Sequence, residues 1–389
     1  MHIKSLPRPG DEELALSKRL QAAICDEIEV AGGNVGFDRY MEMALYYPGL
    51  GYYAGGQQKF GAHGDFVTAP EVSPLYGQAL ARQVAELLQQ LENGCVIEFG
   101  AGSGKLAVDL VTQLEVDDSL PQSYTIIELS AELRHRQQQT IRESIPQHES
   151  LFHWLDHLPE SRVEAVIIAN EVLDAMPVHR FRHIAGRFEE RLVGCREGRP
   201  VSSWGRCSVV LTEAIAALSV DFDEGYESEI NLRLSPWIHA LSDILDRGAI
   251  LLIDYGYARR EYYHPDRYTG TLLCHYRHIA HDDALLWPGL QDITSHVDFT
   301  AVAEAASAVS LDVRGYTSQS NFLIGCGIDE LIAGSAQGLS MTDSYSQAEA
   351  VKRLMLPTEM GEVFKVMALS RGIEQPLLGF GFRDLTGSL

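Results

Sequence analysis

The feature that most constrains the fold is a glycine turn set between a short apolar strand and an amphipathic helix. CVIEF (95–99) is followed by Gly-Ala-Gly-Ser-Gly (100–104) and then by KLAVDLVTQL (105–114). The glycines allow a tight turn, and the helix N-terminus offers free N–H groups at its positive dipole end. This arrangement predicts the first strand–turn–helix unit of a doubly wound α/β sheet, with a ligand over the turn.

Further strand-like segments alternate with helical ones, which predicts βαβ units and a largely parallel sheet. The segment EAVIIANEV is almost entirely apolar, as a central parallel strand should be. The predicted strands after the first are 124–129, 151–155, 164–172 and 249–257, with the last strands expected within 311–325.

The flanking regions follow other patterns. Apolar spacing predicts helices over Leu14–Val30 and Ser73–Leu91, so residues 1–94 are expected to form a helical N-terminal or lid segment. Residues 95–389 are expected to form the sheet domain. Alternating side-chain character at about 178–235 predicts an inserted antiparallel β subdomain.

Composition limits the class of protein. The chain has 389 residues, 46% of them hydrophobic, and no apolar run near the roughly 20 residues that span a membrane. Its N-terminus resembles neither a signal nor a transit peptide, so a cytoplasmic protein is expected. A net charge of −23 disfavours nucleic acid as a partner.

The cysteines indicate reduced, mostly structural thiols and no metal site. They show no CxxC pair and no zinc spacing with histidine. The six positions are Cys25, Cys95, Cys195, Cys207, Cys274 and Cys326.

The glycine turn carries the cofactor prediction. Its spacing is GxGxG with Glu98 two residues before Gly100, and Lys105 stands where a dinucleotide motif would have its third glycine. The pattern resembles motif I of Rossmann-like methyltransferases, which bind S-adenosylmethionine (SAM). That resemblance implies contacts from the residues of the turn and its acid: Glu98, Gly100, Ala101, Gly102 and Gly104.

A second acid is expected about 20 residues after the turn, where a carboxylate can accept from both ribose hydroxyls. Glu128 stands there, and Leu129 follows it. Leu155 and Asp156, after the third strand, are expected beside the adenine. The position of Asp156 is equally consistent with a helix cap.

Several longer blocks resemble one family. GDFVTAPEVSPLYG (64–77), EFGAGSGKLAVDL (98–110), ANEVLDAMPVHRF (169–181) and QDITSHVDFTAVA (291–303) are similar to segments of the SAM-dependent methyltransferase family that includes MidA and a mitochondrial complex I assembly factor. The resemblance implies a Rossmann-like class I methyltransferase sheet, SAM as cofactor and a protein substrate. In the mitochondrial member the acceptor is an arginine of a respiratory-complex subunit.

The acceptor site is expected at the end of the fourth strand. Asn170 is placed beside the cofactor, and Glu171 and Asp174 are expected to face the acceptor. A carboxylate can hold a guanidinium through two hydrogen bonds and polarise it. The alternative is that Glu171 only braces the loop.

Weaker candidates complete the predicted site. Asp254, Tyr255 and His296 are possible substrate contacts. Thr68, Pro70 and Glu71 precede Ser73-Pro74, a helix cap, and belong to a loop that either closes over SAM or is purely structural.

The leading interpretation is therefore a protein arginine methyltransferase. The alternatives are an assembly chaperone that keeps a SAM-binding fold, and a methyltransferase acting on another acceptor. A NAD dehydrogenase is disfavoured by Lys105. A homodimer is possible.

Overall fold

The computed structural model describes residues 6–55, 68–335 and 340–389, which form two compact units. We call them the Rossmann-like unit and the antiparallel unit. The Rossmann-like unit comprises Val67–Leu173, Trp237–Ala258 and Val297–Leu389. The antiparallel unit comprises Met1–Phe66, Asp174–Pro236 and Arg259–His296.

The Rossmann-like unit is built on one twisted sheet. Its strands in chain order are β1 Cys95–Phe99, β2 Tyr124–Ile127, β3 Phe152–Leu155, β4 Val163–Asn170, β5 Leu245–Tyr257, β6 Asp312–Ser318 and β7 Phe364–Arg371. They lie in the order β6-β7-β5-β4-β1-β2-β3, and a short strand, Val297–Asp298, pairs with the end of β5. The chain winds outward in both directions from β1, so the carboxyl ends of β1 and β4 lie side by side at a switch point.

Strands β1 to β5 pair in parallel, whereas β7 runs antiparallel to both β5 and β6. The central strands are buried on both faces: Ala165 to Ala169 in β4 and Ala249 to Leu252 in β5 are all 0% exposed. This burial explains their continuous apolar sequence.

Helices cover this sheet. They are α1 Pro74–Leu88, α2 Lys105–Val116, α3 Ala131–Ser144, α4 Leu234–Ile244, α5 Phe299–Ala308, α6 Gln319–Gly325, α7 Ile328–Ser335 and α8 Met341–Met355, with a single turn at Ala69–Val72. The predicted cap at Ser73 is confirmed, because its side chain accepts from the N–H of Leu75 and Pro74 is the first helical residue. Asp298 caps α5 in the same way.

The antiparallel unit holds two antiparallel sheets. The larger has the strands Asn34–Gly36, His179–Ile184, Arg187–Arg196, Arg199–Arg206 and Glu227–Ile230. The smaller has Leu273–Tyr276, Ile279–His281 and Asp292–Thr294. The helices of this unit are Asp11–Val30, Phe37–Tyr46, Val209–Ala217 and Arg259–Tyr262.

The division of the chain differs from the sequence expectation. Helix α1 was expected within the N-terminal segment but belongs to the Rossmann-like unit, where its apolar face joins the core of the sheet. The helices Asp11–Val30 and Phe37–Tyr46 instead share a core with Val193 and Ile293 of the antiparallel unit. The inserted region is therefore only one of three segments that form this unit.

One cysteine expectation is wrong. Cys25 and Cys195 form a disulfide, with their Cα atoms 5.4 Å apart, whereas all six thiols were expected to be reduced. The two residues are 170 positions apart, and only the packing of helix Asp11–Val30 near strand Arg187–Arg196 brings them together. The other four cysteines are free.

Among the described residues, no helix is long and apolar enough to cross a membrane.

Candidate functional site

The glycine turn joins β1 to α2 and leaves space in front of its backbone. Gly102 has a φ of +52° and Gly104 a φ of +84°, a region that favours glycine. A Cβ at Gly104 would lie 3.2 Å from the Cα of Gln137, so a side chain does not fit there. A Cβ at Gly102 would meet nothing within 4 Å. The turn is thus packed against α3 on one side and open beside Gly102, as a backbone cradle for a ligand requires.

Glu128 and the glycine turn are joined by one side chain. The amide Nε2 of Gln137, on α3, donates to the carbonyl of Gly102 at 3.2 Å and to Oε2 of Glu128 at 3.0 Å. Its Oε1 accepts from the indole N–H of Trp154 at 3.0 Å. Gln137 is 0% exposed. A single buried amide therefore fixes the turn, the predicted ribose acid and β3 relative to one another.

Glu128 keeps acceptor capacity for a ligand. Its Oε1 accepts from the backbone N–H of Ser130 at 2.8 Å, its Oε2 accepts the Gln137 bond given above, and the backbone N–H of Leu129 also bonds to this carboxylate. The two oxygens of a carboxylate can accept about four hydrogen bonds in all, so capacity remains for a ribose hydroxyl. Burial raises the pKa of Glu128, which is 7% exposed.

Glu98 lies deeper than the turn. It is 2% exposed, and its Oε2 accepts from the hydroxyl of Tyr124 at 2.7 Å. Burial raises the pKa of Glu98 to about 7, and the charge of Glu128 adds to the rise. A nearby cationic group would lower that pKa again, because it favours the ionised carboxylate.

The end of β4 places a carboxylate next to the turn. Asn170 is the last residue of β4, and Glu171 follows with a φ of +53°, a backbone conformation unfavourable for a residue with a side chain. The N–H of Glu171 still bonds the carbonyl of Ile253 at 2.9 Å. A Cβ at Gly100 would lie 3.7 Å from the side chain of Val172, so this loop directly adjoins the turn.

Tyr76 and Asp254 hold the same strand end. The hydroxyl of Tyr76, on α1, donates to Oδ1 of Asn170 at 2.5 Å, and the Asn170 amide donates to Glu171 at 3.2 Å. Asp254, predicted as a substrate contact, is 0% exposed and accepts from the backbone N–H groups of Leu173 and Tyr255, both at 2.9 Å. Its bonds brace the loop that carries Glu171.

Carboxylates surround the phenol of Tyr76. The pKa of Tyr76 is raised well above its usual value by burial and by the charges of Glu171, Asp254 and Glu98. Three acids therefore converge on one end of the sheet, where they can stabilise a cationic acceptor.

The residues predicted around the adenine lie at the ends of β2 and β3. Leu155 accepts at its carbonyl from the N–H of Glu128 at 2.9 Å. Leu129 is 74% exposed, and the side chain of Asp156 is 69% exposed. Leu155 is therefore joined to Glu128 through the backbone, and the side chains of Leu129 and Asp156 are open to solvent.

The loop before α1 is described from Thr68 onward. Thr68 is the N-cap of the Ala69–Val72 turn, and Pro70 is buried. The hydroxyl of Ser103 donates to the carboxylate of Glu71, which ties this turn to the glycine turn. The predicted lid residues 64–67 lie outside the described residues.

Three further predicted residues make contacts of their own. Asp174 and His296 belong to the antiparallel unit, where the carbonyl of Asp174 accepts from Ser295 at 3.0 Å and the N–H of His296 donates to Thr271 at 3.1 Å. Asp174 is 5% exposed. Tyr255 lies on β5 and packs edge-to-face on Phe364, with ring centroids 5.4 Å apart.

Two residues of the site were missed by sequence reasoning. Gln137 lies in a polar helix, QQQT, where nothing separates it from its exposed neighbours except its position on the inner face. Tyr76 lies in the segment SPLYG, part of a block similar to the family, and that similarity was the available signal.

A sheet wound outward from β1, a glycine cradle and a carboxylate on the next strand define a Rossmann-like enzyme that binds an adenosine-containing cofactor. Residues 79–317 match the model of a family of S-adenosyl-L-methionine-dependent methyltransferases. The chain belongs to this family, has the class I methyltransferase fold and uses SAM as its cofactor.

Solved and curated relatives agree with this assignment. A superfamily member from Burkholderia thailandensis bound to S-adenosyl-homocysteine is 44% identical, with a TM-score of 0.94 over 99% of this chain and 100% of that one. Protein arginine methyltransferase NDUFAF7, mitochondrial, from Danio rerio is 27% identical over 87% of this chain and 84% of its own. Its homologue from Drosophila melanogaster is 25% identical over 94% and 88%.

The expected cytoplasmic location is contradicted by these relatives. The curated relatives from fish, fly, mouse and human are all named as mitochondrial proteins.

Proposed function

We propose that this methyltransferase modifies an arginine side chain of a protein. The observation that carries the proposal is Glu171, a carboxylate at the end of β4 that directly follows Asn170 and adjoins the glycine turn. The curated relatives named as protein arginine methyltransferases support the choice of acceptor.

The cofactor contacts that we propose follow from the residues around the cradle. The backbone of Gly100, Ala101, Gly102 and Gly104 would hold the methionine part, with Glu98 near its ammonium group. Glu128 would accept from the ribose hydroxyls, and Leu129, Leu155 and Asp156 would border the adenine. SAM supplies a methyl group made electrophilic by its sulfonium; the residues of the chain bind and orient.

Glu171 would bind and polarise the guanidinium. An arginine side chain keeps its charge and offers several N–H donors in one plane, which a carboxylate can accept through two parallel bonds. The φ of +53° at Glu171 costs about 1–3 kcal/mol in a residue with a side chain, and such strain concentrates at functional sites. The Tyr76–Asn170–Glu171 hydrogen bonds would hold the carboxylate in the orientation that the acceptor needs.

Glu171→Gln tests this role. The variant should bind SAM with unchanged affinity but lose at least about 100-fold in turnover, since an amide can neither pair with nor polarise a guanidinium. Glu132→Gln, on the exposed start of α3, is the matched control and should be fully active. Full activity in Glu171→Gln would reject the proposed role of Glu171.

The acceptor class is tested by peptide mass spectrometry of cell proteins with and without the enzyme. The proposal predicts arginines that lose the mass of one or two methyl groups when the enzyme is absent. Loss of methylation from another residue type or from a small molecule would reject the arginine acceptor. SAM binding with no lost mark would favour the assembly-chaperone alternative.

We also propose an acceptor protein and an oligomeric state for this methyltransferase. An arginine of a respiratory-complex subunit is the specific acceptor that the family resemblance suggests, and the marked peptides identify it or exclude it. Asp174 as a second acceptor carboxylate and His296 as a substrate contact remain predictions. A homodimer is tested by the molar mass in solution by light scattering.

A further inference from the structure

One face of the five-stranded sheet in the antiparallel unit is rich in arginine. Residues opposite one another in an antiparallel pair share a face, and so do residues two apart along a strand. By this register the face carries five arginines, Arg180, Arg182, Arg187, Arg191 and Arg206, and three glutamates, Glu189, Glu227 and Glu229. We call it the arginine face. It is cationic within a chain whose net charge is −23.

The glutamates do not neutralise this face evenly. Arg180 lies 3.6 Å from Glu227 and 3.3 Å from Glu229. Glu189 is shared between Arg182, at 2.7 Å, and Arg187, at 3.1 Å. No carboxylate or C-terminus among the described residues lies within 4.0 Å of Arg191.

Arg191 therefore has no carboxylate in direct contact. Partial burial lowers its pKa, repulsion from Arg180 and Arg182 lowers it further, and the charge of Glu227, beyond ion-pair distance, offsets part of this fall. An anion placed beside it would relieve both effects, because it restores favourable solvation to the guanidinium and offsets the like charges.

Trp204 adds an aromatic surface to the arginine face. The guanidinium carbons of Arg182 and Arg191 lie 4.6 and 4.8 Å from the centroid of the Trp204 ring, within cation–π range. The ring is partly exposed. These contacts hold both guanidinium planes in place; the Arg182 group donates to Glu189, whereas no carboxylate among the described residues occupies the donors of Arg191.

Strand Arg199–Arg206 is an edge strand that borders this face. It pairs with Arg187–Arg196 and with no other strand of the described residues. The turn Glu197–Gly198 has φ of +53° and +71°, the two-residue hairpin geometry that makes its flanking residues a hydrogen-bonded pair. Counting from that pair, Ser202 and Trp204 direct their N–H and C=O groups away from the hairpin.

The residues with outward backbone groups, Ser202 and Trp204, thus also have their side chains on the arginine face. We propose that this edge binds an extended acidic segment of a protein partner as an added strand. Main-chain bonds to Ser202 and Trp204 would set the register, and every second side chain of the segment would place a carboxylate on the arginine face. The inference is independent of the methyl acceptor.

The geometry favours an acidic peptide over nucleic acid. The face has only two more cations than anions and includes Glu189, which would repel a continuous phosphate backbone. Side chains at alternate positions of an added strand would lie on the same side of the sheet as the arginines, and guanidinium groups bind carboxylates through paired bonds.

Fluorescence anisotropy with a labelled peptide in which glutamate alternates with valine is the test. The full-length protein should bind this peptide, and should not bind the matching lysine–valine peptide. Arg191→Gln should weaken binding at least about tenfold, because it removes a cation that has no carboxylate in direct contact and lies against Trp204. Arg383→Gln, an exposed arginine of the Rossmann-like unit, makes the same charge change and should have no effect.

A second variant tests the binding mode. Ser202→Pro removes one outward N–H without removing a bond of the hairpin, and should weaken binding by a similar factor. Unchanged thermal midpoints and SAM affinity establish that each variant is folded. Equal affinity of wild type and Arg191→Gln, or of the glutamate and lysine peptides, overturns the proposal. Unchanged affinity in Ser202→Pro overturns strand addition, and tighter binding of a single-stranded oligonucleotide overturns the acidic-peptide occupant.

Discussion

Replacing Gln137 with leucine should uncouple the glycine turn from the ribose acid. Leucine is similar in size but has no polar atoms, so the change removes the donors to Gly102 and Glu128 and the acceptor for Trp154. A bond to a charged group contributes about 1.5–3 kcal/mol and each neutral bond about 1 kcal/mol. The free energy of unfolding should therefore fall by about 3–5 kcal/mol, an upper figure because bonds in one network are not additive.

The effect on the cofactor is the more diagnostic result. Without Gln137 the Glu128 carboxylate can turn away from the ribose, so SAM affinity should fall at least about tenfold, or about 1.4 kcal/mol. Calorimetric titration with SAM measures this, and urea unfolding measures stability. Gln139→Leu is the control, since this exposed glutamine of the same helix bonds only Glu143. Wild-type SAM affinity in Gln137→Leu would show that Gln137 does not position Glu128 for the cofactor.

Two further predictions concern the acids and the tyrosine at the strand ends. Folding raises the pKa of Glu98 from about 4.5 to about 7, so the folded protein binds a proton at Glu98 more tightly than the unfolded chain does. This difference contributes about 3 kcal/mol to the free energy of unfolding. The contribution is fully present below about pH 4.5 and is lost as the pH rises through 7. Urea unfolding from pH 5 to 8 should show that fall, and Glu98→Gln should flatten it relative to wild type; an equal slope in both would contradict the assignment. Tyr76→Phe removes the donor to Asn170, so turnover should fall about tenfold while SAM affinity stays within about twofold. Radiolabelled methyl transfer measures turnover, and Tyr345→Phe, at an exposed tyrosine, is the control. Equal turnover in the two variants would exclude a positioning role for Tyr76.

The local chemistry of the Rossmann-like unit could be predicted from the sequence. β1 has the predicted bounds of 95–99, because a buried apolar run followed by glycines leaves little choice. The glycine turn and Glu128 follow the carboxyl ends of two neighbouring parallel strands, and the two are adjacent as expected. β4 ends at Asn170, two residues before the predicted end, because the left-handed backbone of Glu171 stops the strand.

Long-range packing could not be predicted in the same way. Gln137 reaches the turn and Glu128 only because α3 packs beside them, and a polar helix gives no sign of which glutamine is buried. The antiparallel unit combines three segments that are separated along the chain, and the Cys25–Cys195 disulfide depends on that packing. The range 311–325, expected to contain the last strands, holds β6 Asp312–Ser318 and then helix α6 Gln319–Gly325, and the last strand is Phe364–Arg371.

SAM titration of Gly102→Val is the decisive test of the glycine turn as the cofactor site. Gly102 and Gly186 both have positive φ and open space at Cβ, but Gly186 lies in a hairpin of the antiparallel unit, so Gly186→Val imposes similar backbone strain away from the cradle. We expect wild type and Gly186→Val to bind SAM and Gly102→Val not to bind it, because the valine side chain fills the space in front of the turn. Undiminished SAM binding by Gly102→Val, or binding of NAD in place of SAM by the wild type, would contradict it.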